Sequence, residues 1–368
     1  MSAQPMSRLF VAAFLALSAC GGDSTSPLTV DAGDPICAID VSQLLIGAAR
    51  DGIPALTNPA FVAAGDETNG YLLPTDRVIG FQFGGETLAI PHNILWWHEI
   101  INLDIQNAKV AITYCPLTGT AMAFDREPVN GAELGVSGLL LMSNLVMYDR
   151  SDEETFFSQI MGEEVCGLGT QTVLPRLAVS EMTWEAWQGR FPNTKVVSGS
   201  TGYDRDYSLY PYGGYEQLND PPFFPQEYDQ SRQPKERIVG IEGPNGGFLA
   251  VPFLELDALG ELAVANVEVD GESLVVVWDR AGQSGTTFSR IPQGSGFGFP
   301  LTFTVEDGKV FDVETGSRWS LRGEVVEGPL GGASLELHAE TMIAFWFAWS
   351  SFHPDTQVWT KAGDSSDH

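Results

Sequence analysis

Three residues in the first third of the sequence have side chains that bind transition metals. His92 and His98 lie close together, and Cys115 follows them after a short interval. Imidazole and thiolate are ligands that copper and zinc prefer in proteins. The histidines are six positions apart, which does not align them on one helix face, so a shared site requires a bend between them. The pattern predicts a copper or zinc site, with Met147 as a weak axial ligand.

The same residues allow a second kind of chemistry. Cys115 can act as a nucleophile with His92 or His98 as its base, and a nearby Arg126 or Arg150 would favour the thiolate. The strained Gly-x-Ser-x-Gly turn of many serine enzymes does not occur in the sequence. Both histidines also fit a hydrogen-bonded core role. The sequence therefore leaves a metal site, a Cys-dependent hydrolase or transferase, and a purely structural role open.

A non-catalytic function is a further possibility. Residues 201–234 are rich in Tyr, Gly, Pro and Asp without periodicity, which is typical of a long loop that packs through its rings. Together with the Trp-rich segments, this loop can engage a protein or a small molecule. The sequence thus also fits a surface binding module, and it does not specify the partner.

The composition excludes several classes of partner. The chain has 368 residues, of which 48 are acidic and 19 basic, so its formal net charge is −29. Such a charge repels nucleic acid and anionic bilayers. Hydrophobic residues make up 43% of the chain and charged residues 18%, which predicts a packed globular protein.

The N-terminal sequence is typical of a bacterial lipoprotein. Arg8 precedes the apolar run 9–17, which is too short to span a membrane, and the sequence Leu17-Ser18-Ala19-Cys20 resembles a lipobox. We therefore expect a signal peptide over 1–19, a lipidated Cys20, and a flexible tether over 20–36. The protein is expected to be extracytoplasmic and anchored by lipid to a bacterial membrane, the outer one if the cell has two.

Three further cysteines remain if Cys20 carries lipid: Cys37, Cys115 and Cys166. In an oxidising compartment two of them are expected to form a disulfide. The sequence alone does not show which two.

The distribution of residues predicts the fold class. Short runs of Val, Ile, Phe and Tyr, bounded by Gly, Asn or Asp, predict strands and hairpins. Aromatic residues at helical spacing predict short helices over 182–191 and 340–352. The expected fold is mainly β with a few short helices, in the β-rich α+β class.

Sequence blocks recur in the same order at an offset of about 160 residues, which predicts two homologous lobes. The first lobe is expected over 37–200, the loop over 201–234, the second lobe over 235–361 and a tail over 362–368. In the second lobe the blocks place Phe253 opposite His92 and Trp278 opposite Cys115, so the reactive residues are confined to lobe one. The recurring blocks are Arg77–Gly80 with Leu88–Pro91 and Arg237–Gly240 with Leu249–Pro252; Tyr148–Arg150 with Phe157-Ser158 and Phe311-Asp312 with Trp319-Ser320; and Trp184–Trp187 with Phe191–Thr194 and Trp346–Trp349 with His353–Thr356.

These residues also carry a resemblance. The segments Pro91–Glu99, Tyr114–Arg126, Gly135–Arg150 and Phe345–Thr356 resemble a family of secreted or lipid-anchored prokaryotic proteins known as domain of unknown function 3179. The resemblance covers about Arg77 to Trp359 and implies no established activity. Members often have a second Cys where this chain has Thr118, so a local Cys-x-x-Cys pair is impossible here. Cys166 stands where the family has an aliphatic residue, which implies a disulfide of Cys37 with Cys166 and a free Cys115.

Overall fold

The computed structural model describes residues 36–224 and 226–361. The predicted signal peptide, the predicted lipidation site Cys20, the tether as far as residue 35 and the tail 362–368 lie outside the described residues. The fold is mainly β, with 41% strand, 11% helix and four short helices. No helix in the described ranges is long and apolar enough to cross a bilayer.

The elements of the first half run as far as residue 197. The strands are β1 Ile36–Cys37, β2 Leu44–Ile46, β3 Leu56–Thr57, β4 Phe61–Ala63, β5 Arg77–Phe83, β6 Glu86–Pro91, β7 Ile100–Ile105, β8 Ala108–Cys115, β9 Thr120–Asp125, β10 Leu134–Leu141, β11 Asn144–Asp149, β12 Phe156–Ser158, β13 Glu164–Gly167, β14 Arg176–Leu177, β15 Ser180–Thr183 and β16 Lys195–Val197; the helices are α1 His92–His98 and α2 Trp184–Arg190. They form sheets in the orders β1-β13-β12-β11-β10-β2, β14-β9-β8-β7-β3 and β15-β5-β6-β16-β4.

The elements of the second half begin at residue 237. The strands are β17 Arg237–Glu242, β18 Phe248–Pro252, β19 Leu262–Val269, β20 Glu272–Asp279, β21 Ser284–Ser289, β22 Phe303–Glu306, β23 Lys309–Asp312, β24 Arg318–Trp319, β25 Val325–Glu327, β26 Thr341–Phe345 and β27 Gln357–Val358; the helices are α3 Phe253–Asp257 and α4 Trp346–Phe352. Their sheets have the orders β26-β17-β18-β27, β19-β20-β21 and β22-β23-β24-β25.

The two halves contact each other through matching strands. The amide of Thr183 at the end of β15 donates to the carbonyl of Gly282 at 2.9 Å, and the amide of Phe345 at the end of β26 donates to Thr118 at 2.9 Å. One buried apolar cluster includes Met122 of β9 and Met342 of β26. The halves therefore share a core, and each supplies a strand to the other's surface.

In both the β5-β6 hairpin and the β17-β18 hairpin, a tryptophan ring packs on a glycine. The ring of Trp187 in α2 covers Gly80 of β5, and the ring of Trp349 in α4 covers Gly240 of β17. Each indole N–H donates to a threonine hydroxyl seven residues later, at 2.9 Å and 2.8 Å. A side chain on either glycine would occupy the space of the indole, so the residue type is determined by packing.

We expect Gly80→Ala to lower the free energy of unfolding by about 1–3 kcal/mol, because overpacking a filled core forces neighbouring groups to move. The added Cβ would lie 2.1 Å from Cζ3 of Trp187, which is far below van der Waals contact. Urea unfolding measures the change. Gly189→Ala in α2 is the matched control: its Cβ meets no atom within 4 Å, and the variant should be as stable as the parent or slightly more stable. Equal stability of Gly80→Ala and the parent would contradict this packing.

The helix predicted over 340–352 is wrong in its first part. Residues Thr341–Phe345 form β26, which pairs antiparallel with β17, and α4 starts only at Trp346. The prediction over 182–191 is similarly too long, because Met182 and Thr183 belong to β15. In both places a short apolar run fits a strand as well as a helix, and pairing with the neighbouring hairpin decides for the strand.

The segment between the halves contains no helix or strand among its described residues. It lies across both halves through aromatic side chains. The hydroxyl of Tyr215 donates to the carbonyl of Leu117 at 2.9 Å, and Tyr207 is buried beside His98. On the other side, the indole of Trp346 donates to the carbonyl of Asp229 at 2.7 Å. We refer to residues 201–234 as the connecting segment.

Candidate functional site between the two halves

The two histidines lie at opposite ends of one short helix. A shared metal site would have required a bend between them, and the helix has none. Helix α1 starts at His92, directly after the extended Pro91, and ends at His98; the next residue, Glu99, has a φ of 54° and turns the chain into β7. Six positions along an α-helix correspond to about 600°, so the two rings leave the helix on different sides. The structure therefore gives His92 and His98 separate environments.

His98 has a complete set of hydrogen bonds. Its Nδ1 lies 2.7 Å from the carbonyl oxygen of Pro54 and its Nε2 lies 2.7 Å from the hydroxyl of Tyr207. A neutral imidazole satisfies both, with Nδ1–H donating to Pro54 and Nε2 accepting from the phenol. Burial lowers the pKa of His98 and favours this neutral form. The ring thus holds the connecting segment against α1.

His92 faces a buried carboxylate. Its Nε2 lies 3.0 Å from Oε2 of Glu181 in β15, and its ring packs on that of Tyr114 in β8, with centroids 4.1 Å apart. Burial lowers the pKa of His92, and Glu181 acts in the opposite direction. Nη2 of Arg77 lies 3.9 Å from the same carboxylate oxygen, too far for a direct hydrogen bond. Glu181 is therefore shared between a histidine and an arginine.

A second arginine and a second carboxylate complete this group. Arg237, at the start of β17, forms an ion pair with Glu216 of the connecting segment. Arg77 occupies the corresponding position at the start of β5. Burial lowers the pKa of Arg77; Glu181 opposes this effect and Arg237 adds to it. We call the following residues the polar centre: Arg77, His92, Tyr114, Glu181, Glu216 and Arg237.

The polar centre contains buried polar atoms without hydrogen bonds. Nε and Nη2 of Arg77 have no partner among the described residues, whereas Nη1 donates to the carbonyl of Gln283 at 2.8 Å. Nε2 of His92 and Oε2 of Glu181 are close to each other but do not meet in hydrogen-bond geometry. Leaving such groups unpaired costs about 1–3 kcal/mol each, more when they are charged. Arg77 thus presents one unpaired edge of its guanidinium, the edge that binds carboxylate or phosphate with two parallel bonds.

A small cavity lies beside the centre, at the seam of the two halves. It has a volume of about 20 Å³, which is room for about one water molecule. Its lining includes Ser180 and Glu181 of β15, Thr286 of β21 and Thr341 of β26. Of the polar centre, only Glu181 lines this cavity.

Cys115 lies on the turn between β8 and β9 and is buried. Its Sγ is 3.8 Å from the carbonyl oxygen of Ser143, and burial raises the pKa of the thiol to about 11. At neutral pH the group is therefore a thiol and not a nucleophilic thiolate. Arg126 and Arg150, expected to favour the thiolate, bond elsewhere: Arg126 donates to backbone carbonyls and Arg150 pairs with Asp51.

A buried network of neutral polar side chains supports the Cys115 turn. The hydroxyls of Thr118 and Thr120 are 2.9 Å apart, and Nδ2 of Asn144 donates to Thr118 at 2.9 Å. Oε1 of Gln159 accepts from Thr120 at 2.7 Å and from Asn144 at 2.8 Å. Because every member finds a partner, this network fixes the turn rigidly.

Lys235 is a further unpaired group near the turn. Its ammonium nitrogen is buried without a hydrogen bond among the described residues and lies 3.2 Å from the ring centroid of Tyr215 and 4.4 Å from that of Phe347. Burial lowers the pKa of Lys235 to about 7. The rings hold the charged form by cation–π attraction while the loss of solvent disfavours it.

The structure does not gather the predicted metal ligands. His92 faces Glu181, His98 faces Tyr207, and Cys115 shares a buried apolar cluster with Met147. No three His, Cys, Asp or Glu side chains in the described ranges form a metal-binding group. The copper or zinc site stays a prediction.

Sequence reasoning missed most of the polar centre. Glu181 and Glu216 lie in segments without any recognisable motif, and Lys235 lies two residues before the recurring sequence block that begins at Arg237. His92 was a candidate because of its residue type, and Arg77 and Arg237 gave a signal because both begin a recurring block. A charged residue directly before an apolar block that recurs in the sequence is the signal by which Arg77 and Arg237 could have been found.

A family model matches residues 50–356, and its description is protein of unknown function, DUF3179. The chain belongs to this family. The DUF3179 region contains the polar centre, the Cys115 turn and Lys235, whereas Cys37 and the strands β1 and β2 lie before it. No curated protein and no solved structure matches the chain.

Cys37, outside the DUF3179 region, is joined by a disulfide to Cys166 within it, and Cys115 is the free cysteine of the described residues. The disulfide connects β1 to β13, which are paired strands of one sheet. The segment before the DUF3179 region is therefore fastened to it covalently.

Proposed function

We propose that this protein is an extracytoplasmic, lipid-anchored member of the DUF3179 family that binds a small carboxylate at the polar centre. One observation carries the proposal: the unpaired Nε and Nη2 edge of Arg77, buried beside Glu181 and His92. A planar guanidinium edge matches the two oxygens of a carboxylate.

The limited room at the seam supports a small ligand. The cavity beside Glu181 admits about one water molecule and is not lined by Arg77, so even formate, the smallest carboxylate, requires the surrounding residues to rearrange. A larger carboxylate enters only if the connecting segment, which supplies Glu216, moves aside. Lipidation at Cys20 and the extracytoplasmic location belong to the same proposal and rest on the lipobox and on the disulfide, which is rare in reducing compartments.

We further propose that the two halves are homologous lobes and that lobe two has apolar residues in place of His92 and Glu181, whereas Arg237 is the counterpart of Arg77. Strand pairing supports this: β5 lies between antiparallel β15 and β6, with β16 parallel to β6, and β17, β26, β18 and β27 pair in the same way. The aromatic pair His92 and Tyr114 corresponds to Phe253 and Trp278, whose rings are 4.8 Å apart.

The strand registers also correct the sequence alignment by one position. Cys115 pairs with Thr120 across its turn, and Asp279 pairs with Ser284 in the same way. Cys115 therefore corresponds to Asp279, not to Trp278. Glu181 pairs with Ile79 and corresponds to Ile343, which pairs with Val239. On this proposal, Phe253 and Ile343 are the apolar counterparts of His92 and Glu181.

The correspondence supplies Phe for position 92 and Ile for position 181, and Arg77→Met is added because Arg77 would otherwise stay buried without its carboxylate. We expect the triple variant Arg77→Met, His92→Phe, Glu181→Ile to be as stable as the parent or more stable by about 1–4 kcal/mol, because well-packed apolar groups often replace buried ion pairs without loss. Urea unfolding measures this. Glu181→Ile alone is the control and should be destabilising, since it leaves Arg77 buried without its carboxylate. A triple variant much less stable than the parent would show that the polar centre serves folding.

Carboxylate binding is tested by thermal unfolding in the presence of formate. Sodium formate should raise the thermal unfolding midpoint of the parent above the value in sodium chloride at equal ionic strength, because a ligand that binds only the folded state stabilises it. The triple variant should show no difference between the two salts. Equal midpoints for the parent in formate and chloride would contradict carboxylate binding.

A copper or zinc site at Cys115 is the competing proposal. It is favoured by one observation, the presence of the free Cys115 thiol and the Met147 thioether in the same buried cluster. Soft sulfur ligands favour copper. The parent and Cys115→Ser, reconstituted with Cu and Zn, are to be compared by elemental analysis; stoichiometric metal in the parent that is lost in the variant supports this site, and equal metal content excludes it.

A further inference from the structure

Exposed apolar side chains are concentrated where the described chain begins. Within residues 36–46, Ile36 is 62% exposed and Ile46 is 67% exposed, and Val41 and Leu45 are exposed as well. Leu168, next to the end of β13, is exposed as well and lies near Ile36, whose side chain contacts Gly169. Single exposed apolar residues are common on protein surfaces, but a group of them is typical of a contact surface.

These residues are held in place by the fold. The strands β1 and β2 form the two opposite edges of the six-stranded sheet, so residues 38–43 pass from one edge to the other. β1 pairs with β13 and is linked to it by the disulfide Cys37–Cys166. Ile36 lies against Gly169, close to Leu168. We call Ile36, Val41, Leu45, Ile46 and Leu168 the N-terminal apolar face.

The position of this face along the chain indicates what covers it. Ile36 follows Cys20 by sixteen positions, a stretch that spans at most about 55 Å when fully extended and about 20–24 Å as a flexible coil. Lipid on Cys20 would therefore keep this face within reach of the bilayer. Tethering at such a distance gives a high effective concentration, so a weak contact is sufficient.

We infer that the N-terminal apolar face rests on the surface of the bilayer that carries the lipid anchor. This inference depends on the lipidation of Cys20 in the proposed function. The net charge of −29 opposes contact with anionic lipid, so the apolar side chains are expected to meet zwitterionic headgroups. Alternative covers are a second copy of the chain or the chain's own residues before Ile36.

The test uses the lipidated full-length chain in phosphatidylcholine vesicles that contain brominated lipid as a quencher. A thiol-reactive fluorophore is attached to Val41→Cys in one variant and to Phe299→Cys, an exposed residue of the second half, in the matched control. The parent, whose free Cys115 is buried, serves as the labelling blank. Co-sedimentation with the vesicles establishes anchoring before fluorescence is measured.

We expect brominated lipid to reduce the emission of the label at position 41 by about half, as for groups inserted at the headgroup boundary, and to leave the label at position 299 unchanged. If the protein co-sediments but the label at position 41 is not quenched, the inference is overturned, whereas the proposed lipidation of Cys20 still stands. The face would then be covered by a second copy or by the chain's own N-terminal residues. Equal quenching at both positions would overturn it too, because the contact would not be confined to this face. Failure to co-sediment would overturn both the inference and the proposed anchor.

Discussion

Replacing Cys37 and Cys166 together by alanine should lower the free energy of unfolding by about 4–5 kcal/mol. The disulfide joins residues 129 positions apart, and on the chain-entropy model a loop of that length restricts the unfolded chain by about this amount. The effect is large because nearly all of the first half lies within the loop. Loss of the bond also frees the short β1, which pairs with β13 through only two residues.

Urea unfolding of the double variant beside the parent measures the loss, and peptide mapping without reduction establishes the pairing. Cys115→Ala is the control, because it removes a buried cysteine outside the bond. A double variant within about 1 kcal/mol of the parent would show that the unfolded chain is not restricted in this way. A bond between Cys37 and Cys115 in the map would contradict the structure directly.

Glu99→Gln should stabilise the protein at pH 8 by about 3–5 kcal/mol relative to the parent and have little effect at pH 5. Glu99 is buried at the end of α1, and burial raises its pKa from 4.5 to about 8. The folded state therefore holds a proton that the unfolded state loses near pH 4.5. A pKa difference of this size corresponds to about 4 kcal/mol.

The sign follows from proton binding. Between pH 4.5 and about 8 the folded parent binds more protons at Glu99 than the unfolded chain, so its stability falls as pH rises through this range and stays low above it. Glutamine does not titrate and resembles the protonated acid in shape. The neighbouring Cys115 thiol has a pKa of about 11, and burial raises the pKa of Tyr212 also, so both stay neutral at pH 8.

Thermal or urea unfolding of both proteins at pH 5 and pH 8 gives the required difference. The exposed Glu314→Gln is the control and should show the same small change at both pH values. If the stability difference between Glu99→Gln and the parent does not grow with pH, the prediction is wrong. Glu99 would then be ionised in the folded state, with its carboxylate hydrated by water.

Local features of the sequence predicted the type of fold and part of two short helices. Short runs of β-branched and aromatic residues bounded by turn residues indicated a mainly β chain, as the structure has it. The helices predicted over 182–191 and 340–352 exist in part as α2 and α4, and each begins later than predicted. The family was recognisable because its motifs are contiguous in the chain. Each of these properties depends on residues close together in sequence.

The site, in contrast, depends on residues that are distant in sequence. Arg77, His92, Glu181, Glu216 and Arg237 come from three strands, one helix and the connecting segment, and no motif links them. The prediction of one site for His92, His98 and Cys115 used nearness in sequence, but α1 turns the two histidines apart, and Tyr114 and Cys115 point to opposite faces of β8.

The sequence by itself determined what local backbone preference and hydrophobic pattern can determine: the mainly β class, part of two short helices, and the membership of a family. Only the tertiary structure decided that residues 341–345 form a strand rather than a helix turn, because pairing with β17 satisfies backbone groups that no local pattern specifies. It also decided which charges share the polar centre, because burial and ion pairing depend on distances between segments far apart in the chain.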